Sequence, residues 1–336
     1  MEHVSLQRAT DVLNQAQTAE IAVLGDVMLD RYFWGSVSRI SPEAPVPVVD
    51  LDNESFHLGG AANVASNIHA LGSGAALFGV IGDDASGTML RSIAEGEGLN
   101  ADGLVASPGR PTTVKTRIIG NNQQLIRLDR EARHDIDGIV IKEVIDRLRA
   151  RPRLKSIVLE DYDKGFLSER MLHESIELAK ELNIPAFVDP KKRDLSMYRG
   201  CFLFKPNRKE ASDALGREVR SMQDVVDAAK FMMDELQCQN VLITLGSEGM
   251  LLLEASGLIS TVPTVARKVA DVSGAGDTAI ATLATMVAGG ATVREAATLA
   301  NIAAGIVVGE PGIVAITREM LLDAVREDEL HTAERA

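Results

Sequence analysis

Short runs of apolar residues alternate with longer amphipathic stretches along most of the chain. The apolar runs have the length of buried β-strands, and the longer stretches repeat apolar residues at helical spacing. A chain of alternating strands and helices forms a parallel sheet with helices on both faces, so the pattern predicts an α/β fold. The predicted strands are 21–25, 75–81, 157–160, 186–189, 202–205 and 241–245, and the predicted helices include 61–71, 168–182 and 222–236.

Two segments break this rhythm. Residues 31–58 carry three prolines, and residues 112–129 surround the turn signal Gly120-Asn121-Asn122. Both alternate apolar with polar residues, which predicts exposed antiparallel strands rather than parts of the main sheet. We expect a small β lid that protrudes from the α/β core. Pairing with a second copy would cover its open edges, so a homodimer built on the lids is also expected.

Composition narrows the class of protein. With 336 residues and 46% hydrophobic content, the chain can bury a large core, and no compositional break divides it, so one domain over 1–336 is expected. A net charge of −13 argues against nucleic acid as a partner, although a local basic pocket can still bind a small anion. Two cysteines indicate reduced thiols rather than a disulfide framework. Without a signal-peptide or membrane-span pattern, a cytoplasmic protein that does not contact membranes is expected.

The stretch Asp271-Val-Ser-Gly-Ala-Gly-Asp277-Thr278 carries the clearest chemical signal. Its Gly-Ala-Gly turn opens into a helix of small residues, so several backbone N–H groups can point at one ligand. With the positive end of the helix dipole, this forms an anion hole suited to a transferring phosphoryl group. Asp277 at its rim can take the proton of an attacking hydroxyl. An ordinary turn with a helix cap is the structural alternative.

A second pair of glycines precedes a helix in the N-terminal third. Gly59 and Gly60 permit close backbone approach, and Asn63 offers both a donor and an acceptor, as recognition of a sugar hydroxyl requires. Asp26 and Asp30 are expected to close the first strand, where two carboxylates could also bind sugar hydroxyls. Turn formation and helix capping account for these residues equally well, so both interpretations stay open.

Two further motifs follow predicted strands, at the end where open α/β sheets bind ligands. In Asn207-Arg208-Lys209-Glu210, Asn207 is either a helix cap after Pro206 or, with Glu210, part of a site for hydrated Mg²⁺. The segment Thr244-Leu-Gly-Ser-Glu-Gly249 is either a turn or a loop at a ligand.

Taken together, these motifs resemble the ribokinase, or PfkB, carbohydrate kinases. Gly-Gly-x-x-Asn, Asn-x-x-Glu and Gly-Ala-Gly-Asp occur in the family's order and spacing, and the resemblance covers nearly the whole chain. It implies a ribokinase-like, Rossmann-like domain with a β lid, usually a lid-mediated dimer, and ATP with Mg²⁺. Val272 stands where many members have Thr, which leaves dependence on potassium open. The implied roles are Asp277 as catalytic base with Gly274, Ala275 and Gly276 as anion hole; Asn207, Arg208, Lys209, Glu210, Thr244, Gly246, Ser247, Gly249 and Asn301 at Mg-ATP; and Asp30, Gly59, Gly60 and Asn63 at the sugar.

A longer resemblance concerns the sugar. Residues 30–48 are very similar to the kinase half of the bacterial bifunctional heptose enzymes, as are 160–165, 188–191 and 271–277. Those enzymes phosphorylate C1 of D-glycero-D-manno-heptose 7-phosphate on the way to the lipopolysaccharide inner core. Their second half carries a His-x-Gly-His motif, which the six histidines here do not form. The resemblance therefore implies a stand-alone heptose 7-phosphate kinase.

An acidic protein that binds a sugar phosphate needs local cations. Arg117 and Arg127 lie on either side of the Gly120 turn, which can place them on one face of a hairpin. These two and Lys164 are predicted to bind the 7-phosphate. The alternatives are a kinase for another sugar or sugar phosphate, such as ribose or a fructose phosphate, and a sugar-phosphate sensor without activity, against which the intact Gly-Ala-Gly-Asp argues. The remaining candidate cations are Lys115, Lys191, Lys192 and Arg193.

Overall fold

The structure is a computed structural model that describes residues 4–191, 194–264, 270–310 and 312–335. Lys192 and Arg193 of the predicted basic cluster lie outside the described residues. The strands are β1 (Glu20–Gly25), β2 (Val27–Ile40), β3 (Pro47–Gly60), β4 (Gly74–Gly82), β5 (Asn100–Ser107), β6 (Val114–Gly120), β7 (Gln123–Arg130), β8 (Leu154–Glu160), β9 (Ala186–Asp189), β10 (Leu203–Phe204), β11 (Asn240–Thr244), β12 (Met250–Glu254) and β13 (Ile259–Val262). The helices are α1 (Leu6–Ala16), α2 (Ala61–Ala70), α3 (Ala85–Gly96), α4 (Gly138–Arg149), α5 (Glu169–Glu181), α6 (Arg208–Leu215), α7 (Met222–Leu236), α8 (Ala275–Ala288), α9 (Val293–Val308) and α10 (Arg318–Arg335).

In the described part of the chain, nine strands form the main sheet in the order β13-β12-β11-β10-β9-β8-β1-β4-β5. The strands from β11 to β5 pair in parallel, while β12 and β13 are added antiparallel at one edge. The predicted α/β fold with a mainly parallel sheet is therefore confirmed. After β1 the chain adds β4 and β5 on one side and β8 to β11 on the other. A reversal of this kind opens a crevice at the carboxyl ends of the strands, where such sheets bind ligands.

Helices cover both faces of this sheet because its central strands are apolar on both sides. In β1, Ile21 and Val23 enter one hydrophobic core, while Ala22 and Leu24 enter the other. Helices α1, α2, α3, α8, α9 and α10 contribute to the first core, and α4 to α7 contribute to the second. Helix α7 begins at the predicted Met222, because Ser221 and Asp224 form a capping box there.

The two alternating segments form a separate four-stranded sheet, in the order β3-β2-β6-β7, which we call the lid. Strands β6 and β7 meet in a tight hairpin whose turn residues Asn121 and Asn122 have φ of 51° and 63°, a conformation that asparagine tolerates. The expectation that Asp30 closes the first strand is wrong. Strand β1 ends at Gly25, and Asp30 lies inside β2, opposite His57 of β3.

None of the helices within the described ranges is long and apolar enough to cross a membrane.

Candidate active site

Helix α8 begins in the Gly-Ala-Gly turn. Gly274 caps the helix with φ of 79°, a left-handed conformation that glycine adopts without strain. A Cβ atom at this position would lie 3.1 Å from Nδ2 of Asn63, so the turn also packs closely against α2. The first N–H groups of a helix have no partner within it; here that of Ala275 donates to the carbonyl of Val272 at 3.4 Å, which leaves the neighbouring N–H groups for a ligand. The turn can therefore bind an anion through its backbone.

Asp277 lies in the first turn of α8, and its carboxylate is buried. Asn63 donates a hydrogen bond from Nδ2 to Oδ2 at 2.7 Å, and the hydroxyl of Tyr162 donates to Oδ1 at 2.9 Å. Burial raises the pKa of Asp277 to about 6, although these two hydrogen bonds act in the opposite direction. A carboxylate with this pKa is ionised at neutral pH and is a better proton acceptor than an exposed one.

The hydrogen bond from Asn63 is fixed by a buried network between α2 and α8. Asn67, one turn further along α2, donates to the carbonyl of Asn63 at 2.8 Å. Its Oδ1 accepts hydrogen bonds from the hydroxyl of Thr278 and the backbone N–H of Ile316, each at 3.0 Å. Gly60 starts the helix with φ of 59°. Asn63 and Asp277 are therefore held together, although they are far apart in sequence.

The loop that carries Tyr162 is organised by Asp26. The backbone N–H groups of Tyr162, Lys164 and Phe166 donate to its carboxylate at 3.0, 2.9 and 3.2 Å. Asp26 is buried directly after β1, so it stabilises this loop rather than presenting a free carboxylate to a sugar. Of the two interpretations of Asp26, the structure favours turn formation.

A buried charged cluster lies beside the Gly-Ala-Gly turn. Nζ of Lys205 pairs with Oδ2 of Asp189 at 2.6 Å, and a Cβ at Gly276 would lie 3.6 and 3.8 Å from these two atoms. Burial alone would lower the pKa of Lys205. The negative charges of Asp189 and Glu160 have the larger effect, so the pKa of Lys205 is raised. Burial, together with Asp189, raises the pKa of Glu160 well above its ordinary value. The turn thus combines backbone donors with a nearby buried ammonium.

The predictions above did not include Tyr162, Glu160, Asp189 or Lys205 among the site residues. Glu160 ends β8, Asp189 ends β9, and Lys205 directly follows β10. The rule that open α/β sheets bind ligands at the carboxyl ends of their strands could have found them.

A cavity of 320 Å³ adjoins the turn on the other side. Asn301 is fixed at its wall by donating from Nδ2 to the carbonyl of Pro263 at 2.8 Å. The structure therefore brings together five of the residues predicted at the nucleotide with two residues of the anion hole. The predicted residues that line the cavity are Thr244, Gly246, Ser247, Gly249, Ala275, Gly276 and Asn301.

The Asn207-x-x-Glu210 motif caps helix α6. Oδ1 of Asn207 accepts from the N–H of Glu210, and Oε2 of Glu210 accepts from the N–H of Asn207, both at 2.9 Å. The capping interpretation of Asn207 is therefore confirmed, and it leaves Oε1 of Glu210 outside the capping box. Arg208 pairs with Glu248 at 2.7 Å, and Lys209 is exposed. These four residues border the nucleotide-side loop, since Asn207 pairs with Thr244, but they do not line the cavity.

The three cations predicted at the sugar phosphate all have carboxylate partners. Arg117 and Arg127 lie directly opposite each other in the lid hairpin and share one face, as their spacing predicts. The pairs are Arg117 with Asp30, Arg127 with Asp129 at 2.9 Å, and Lys164 with Glu131 at 2.8 Å.

A cavity beside a glycine-rich helix start, with a buried carboxylate of raised pKa next to it, is the arrangement that a phosphoryl-transfer enzyme on a Rossmann-like sheet needs. Residues 18–319 match the pfkB family of carbohydrate kinases. The chain belongs to this family, so the protein is a carbohydrate kinase, and kinases of this family use ATP.

Curated relatives share the kinase region. The chain is 44% identical over 310 residues to Bifunctional protein HldE of Paramagnetospirillum magneticum, covering 92% of this chain and 64% of the relative. It is 43% identical over 291 residues to Bifunctional protein HldE of Geobacter sulfurreducens, covering 86% and 59%. The chain thus spans about three fifths of the length of these relatives.

Solved structures share the fold. Phosphofructokinase-2 from Escherichia coli, in complex with substrates and products, superposes with a TM-score of 0.75 at 19% identity, covering 92% of this chain and 98% of that one. Ribokinase from Arabidopsis thaliana, complexed with ribose and ATP, superposes with a TM-score of 0.73 at 19% identity and the same coverage.

Proposed function

We propose that this protein is a cytoplasmic kinase that transfers the γ-phosphoryl group of ATP to the C1 hydroxyl of D-glycero-D-manno-heptose 7-phosphate. The product, heptose 1,7-bisphosphate, would enter ADP-heptose synthesis for the lipopolysaccharide core. Identity above 40% to two relatives named HldE, together with the similarity of residues 30–48 to heptose enzymes, supports the choice of sugar. The observation that carries the reaction type is the buried carboxylate of Asp277 beside the Gly-Ala-Gly turn.

In this mechanism Asp277 accepts the proton of the C1 hydroxyl as its oxygen forms a bond to the γ-phosphorus. The bond from that phosphorus to the β–γ bridging oxygen breaks, and ADP leaves with that oxygen. The N–H groups of residues 274–277 would bind the equatorial oxygens of the phosphoryl group, with Lys205 close to Gly276. Asn63 and Tyr162 hold the carboxylate in place by donating to its two oxygens.

The residues near Glu210 fit a hydrated Mg²⁺ ion. Among the described residues, no group of three or more His, Cys, Asp or Glu side chains is arranged to hold a metal directly. Magnesium keeps several waters and takes few protein carboxylates, which suits contacts through water to Glu210 and Asp189. Nζ of Lys191 lies 3.6 Å from Oε1 of Glu210. A hydrated magnesium ion at Glu210 would take the place of this ammonium beside the carboxylate. When bound, the ion would neutralise charge on the ATP phosphates.

We also propose that the enzyme binds a monovalent cation, such as potassium, beside the Gly-Ala-Gly turn. Asp271 places a carboxylate beside the turn, where its Oδ1 accepts a hydrogen bond from the N–H of Ser273 at 2.9 Å. One solved relative in fold, phosphofructokinase-2 from Escherichia coli, has been determined in complex with potassium. Titration of potassium chloride into enzyme in potassium-free buffer tests the requirement, and a flat response would exclude it.

We also propose a homodimer built on the lids. Phe33, Ile118 and Ile126 lie opposite one another across three strands, so they share the face of the lid that carries Leu128. Ile126 and Leu128 are 49% and 51% exposed, and an apolar sheet face of this kind is unfavourable in water. A two-fold axis would bury it with one self-complementary patch. Sedimentation velocity should give a dimer at micromolar protein and a monomer for the double variant Ile126→Lys, Leu128→Lys; a monomeric wild type contradicts the proposal.

The decisive experiment for the substrate is mass spectrometry of the product formed from ATP. Heptose 7-phosphate, unphosphorylated heptose, ribose and the two fructose monophosphates are offered in parallel at equal concentration. We expect heptose 1,7-bisphosphate as the main product and a clear kinetic preference for heptose 7-phosphate. Faster phosphorylation of ribose or a fructose phosphate would replace the proposed sugar, and no product from any sugar would contradict the proposed activity.

A further inference from the structure

One face of the lid is directed at the proposed base. Across the lid, Lys115 lies opposite Asp30 of β2, and its neighbour two residues on, Arg117, lies opposite Tyr32. Residues opposite one another in a sheet, and residues two apart in a strand, point to the same side. Nζ of Lys115 lies 5.3 Å from the ring centre of Tyr162, whose hydroxyl donates to Asp277. We call this side the inner lid face.

Lys115 differs from the other cations around this face. Arg117, Arg127 and Lys164 each form an ion pair with a carboxylate. Throughout the described ranges, no residue forms a hydrogen bond or an ion pair with the ammonium of Lys115, which lies over the face of Tyr162. Its side chain is half-buried, so it has lost part of its hydration. Within this group of four cations, Lys115 is the one whose charge is not matched by a partner.

The surroundings of Lys115 would favour a bound anion. Burial lowers the pKa of Lys115, and the positive charges of Lys164, Arg117 and Arg127 act in the same direction, against the opposing effect of Asp30. Asp30 and Asp129 lie opposite Lys115 on the two neighbouring strands, but each is already paired with an arginine. A half-buried ammonium without its own ion pair gains more from a phosphate than an exposed one does, because the low local dielectric strengthens the pair. Lysine also suits this contact as a compact charge that needs no planar partner.

We propose that Lys115 is a substrate-binding residue that selects sugars carrying a phosphate ester at the end away from the reacting hydroxyl. The inference rests on the proposed function and adds a residue to it. Tyr162 contacts both Lys115, through its ring, and Asp277, through its hydroxyl. A sugar that reaches from Asp277 to Lys115 would have its reacting hydroxyl at the base and its phosphate at the ammonium. Arg117 and Lys164, whose ion pairs are largely buried, then hold the face in position, while the exposed pair of Arg127 contributes less.

The test is the variant Lys115→Met, which removes the charge and keeps an unbranched apolar side chain over Tyr162. Its matched control is Lys142→Met, on helix α4, where the lysine is exposed and pairs with Asp146. With saturating ATP, kcat/KM is measured for heptose 7-phosphate and for unphosphorylated heptose. We expect Lys115→Met to lower kcat/KM for the phosphate ester by about 10- to 100-fold, the usual value of a hydrogen bond to a charged group. The value for unphosphorylated heptose should change less than about threefold, as should both values in the control.

Several outcomes would overturn the inference while leaving the proposed function intact. Equal losses on both sugars would assign Lys115 a structural role, and a rise in the KM for ATP would assign it to the nucleotide. An unchanged preference for the phosphate ester would show that other cations select it. A wild-type enzyme that prefers the unphosphorylated sugar would contradict both this inference and the proposed substrate.

Calorimetry covers the case in which the wild type phosphorylates neither sugar, which would contradict the proposed function on its own. Heptose 7-phosphate is then titrated into wild type, Lys115→Met and Lys142→Met. Binding that weakens in Lys115→Met alone would support the inference. Equal binding in all three proteins, or no binding to the wild type, would overturn it.

Discussion

The proposed phosphoryl-transfer centre and the lid hold their charges in opposite ways. Around the turn, Asp277 and Lys205 are buried, Asp189 is largely so, and all three are fixed by hydrogen bonds or ion pairs from the protein. In the lid, most charged pairs, such as Arg127 with Asp129, are exposed. A buried charge is costly unless fixed groups compensate it, so the geometry of the centre is tightly determined. Exposed pairs contribute little and exchange partners easily, which suits the recognition of a substrate.

The difference suggests that reaction type and substrate choice depend on different regions. A rigid buried centre can perform the same phosphoryl transfer on many sugars, whereas in the proposed function the lid would contact the part of the sugar that varies. Changes in the centre should therefore reduce turnover with every substrate. Changes in the lid should alter the discrimination between substrates.

The largest effect is expected from Asp277→Asn. An amide cannot accept the proton of the sugar hydroxyl, and loss of a general base lowers the rate by about 10²- to 10⁴-fold. ATP binding, measured by calorimetry, should stay within about twofold because the cavity is unchanged. Near-normal turnover would remove Asp277 from the mechanism and weaken the contrast between the two regions.

Stability provides the control for this variant. Since the pKa of Asp277 is raised from 3.8 to about 6, the folded state binds this proton more tightly than the unfolded state. The group therefore stabilises the fold less as the pH rises from 4 towards 6, and at pH 8 the buried carboxylate costs up to about 3 kcal/mol. Asp277→Asn should unfold at the same or a higher temperature than the wild type at pH 8. A large decrease would mean that lost turnover reflects unfolding.

Glu210→Gln should have the next largest effect. If Glu210 contacts Mg²⁺ through water, loss of its charge should raise the magnesium concentration for half-maximal rate by about tenfold, the effect expected when an outer contact to a metal is lost. The KM for the sugar should change much less, because Glu210 lies at α6 and not at the lid. Glu248→Gln is the matched control, since Glu248 is also a carboxylate on the nucleotide side, paired with Arg208. An unchanged magnesium titration would exclude the contact.

A smaller effect is expected from Tyr162→Phe. In the wild type, kcat/KM should fall as the pH drops through about 6, because protonated Asp277 cannot act as a base. The hydroxyl of Tyr162 donates to the ionised carboxylate and lowers its pKa, so its removal should move the acid limb to higher pH by about half a unit to one unit. The pH profile measures this shift, and a limb that stays in place would show that Tyr162 does not tune the base.

Much of the fold followed from the sequence because most strands of the main sheet are apolar on both faces. The runs at β1, β4, β8, β9 and β11 have few competing interpretations, and each is present. The end of β1 at Gly25 was predicted, but the start of β2 at Val27 was not, since the apolar residues Val27 to Leu29 directly continue the pattern of β1. The chain leaves the sheet at Asp26 because three backbone N–H groups from another loop bind its carboxylate. A contact between residues so far apart in sequence cannot be recognised from the local sequence pattern.

The candidate site was predictable where a local motif carried it and otherwise was not. The Gly-Ala-Gly turn and the Gly-Gly pair indicated Asp277 and Asn63, which the structure places 2.7 Å apart. Tyr162 lies in the stretch 160–165 that resembles the heptose enzymes, but that resemblance gave it no role, and Lys205 belongs to no motif; only the order of the strands brings their loops together. The partner of Arg117 was also hidden, because its ion pair with Asp30 joins two strands and depends on their register, which a one-residue shift would change.

The smallest effect is expected from Arg127→Ala. Arg127 shares the inner lid face with Arg117, but its side chain is 50% exposed and already bound to Asp129. Its contact with a sugar phosphate would have to compete with that ion pair in water, so the KM for heptose 7-phosphate should rise only about two- to fivefold, with the KM for ATP unchanged. Arg220→Ala is the matched control, because Arg220 is likewise exposed and pairs with a carboxylate two residues away, Glu218. Equal changes in both KM values would contradict a role of Arg127 at the sugar. If Arg127→Ala impaired the reaction with heptose 7-phosphate more than Lys115→Met does, the exposed arginine, rather than the half-buried lysine, would be the main phosphate ligand of the lid.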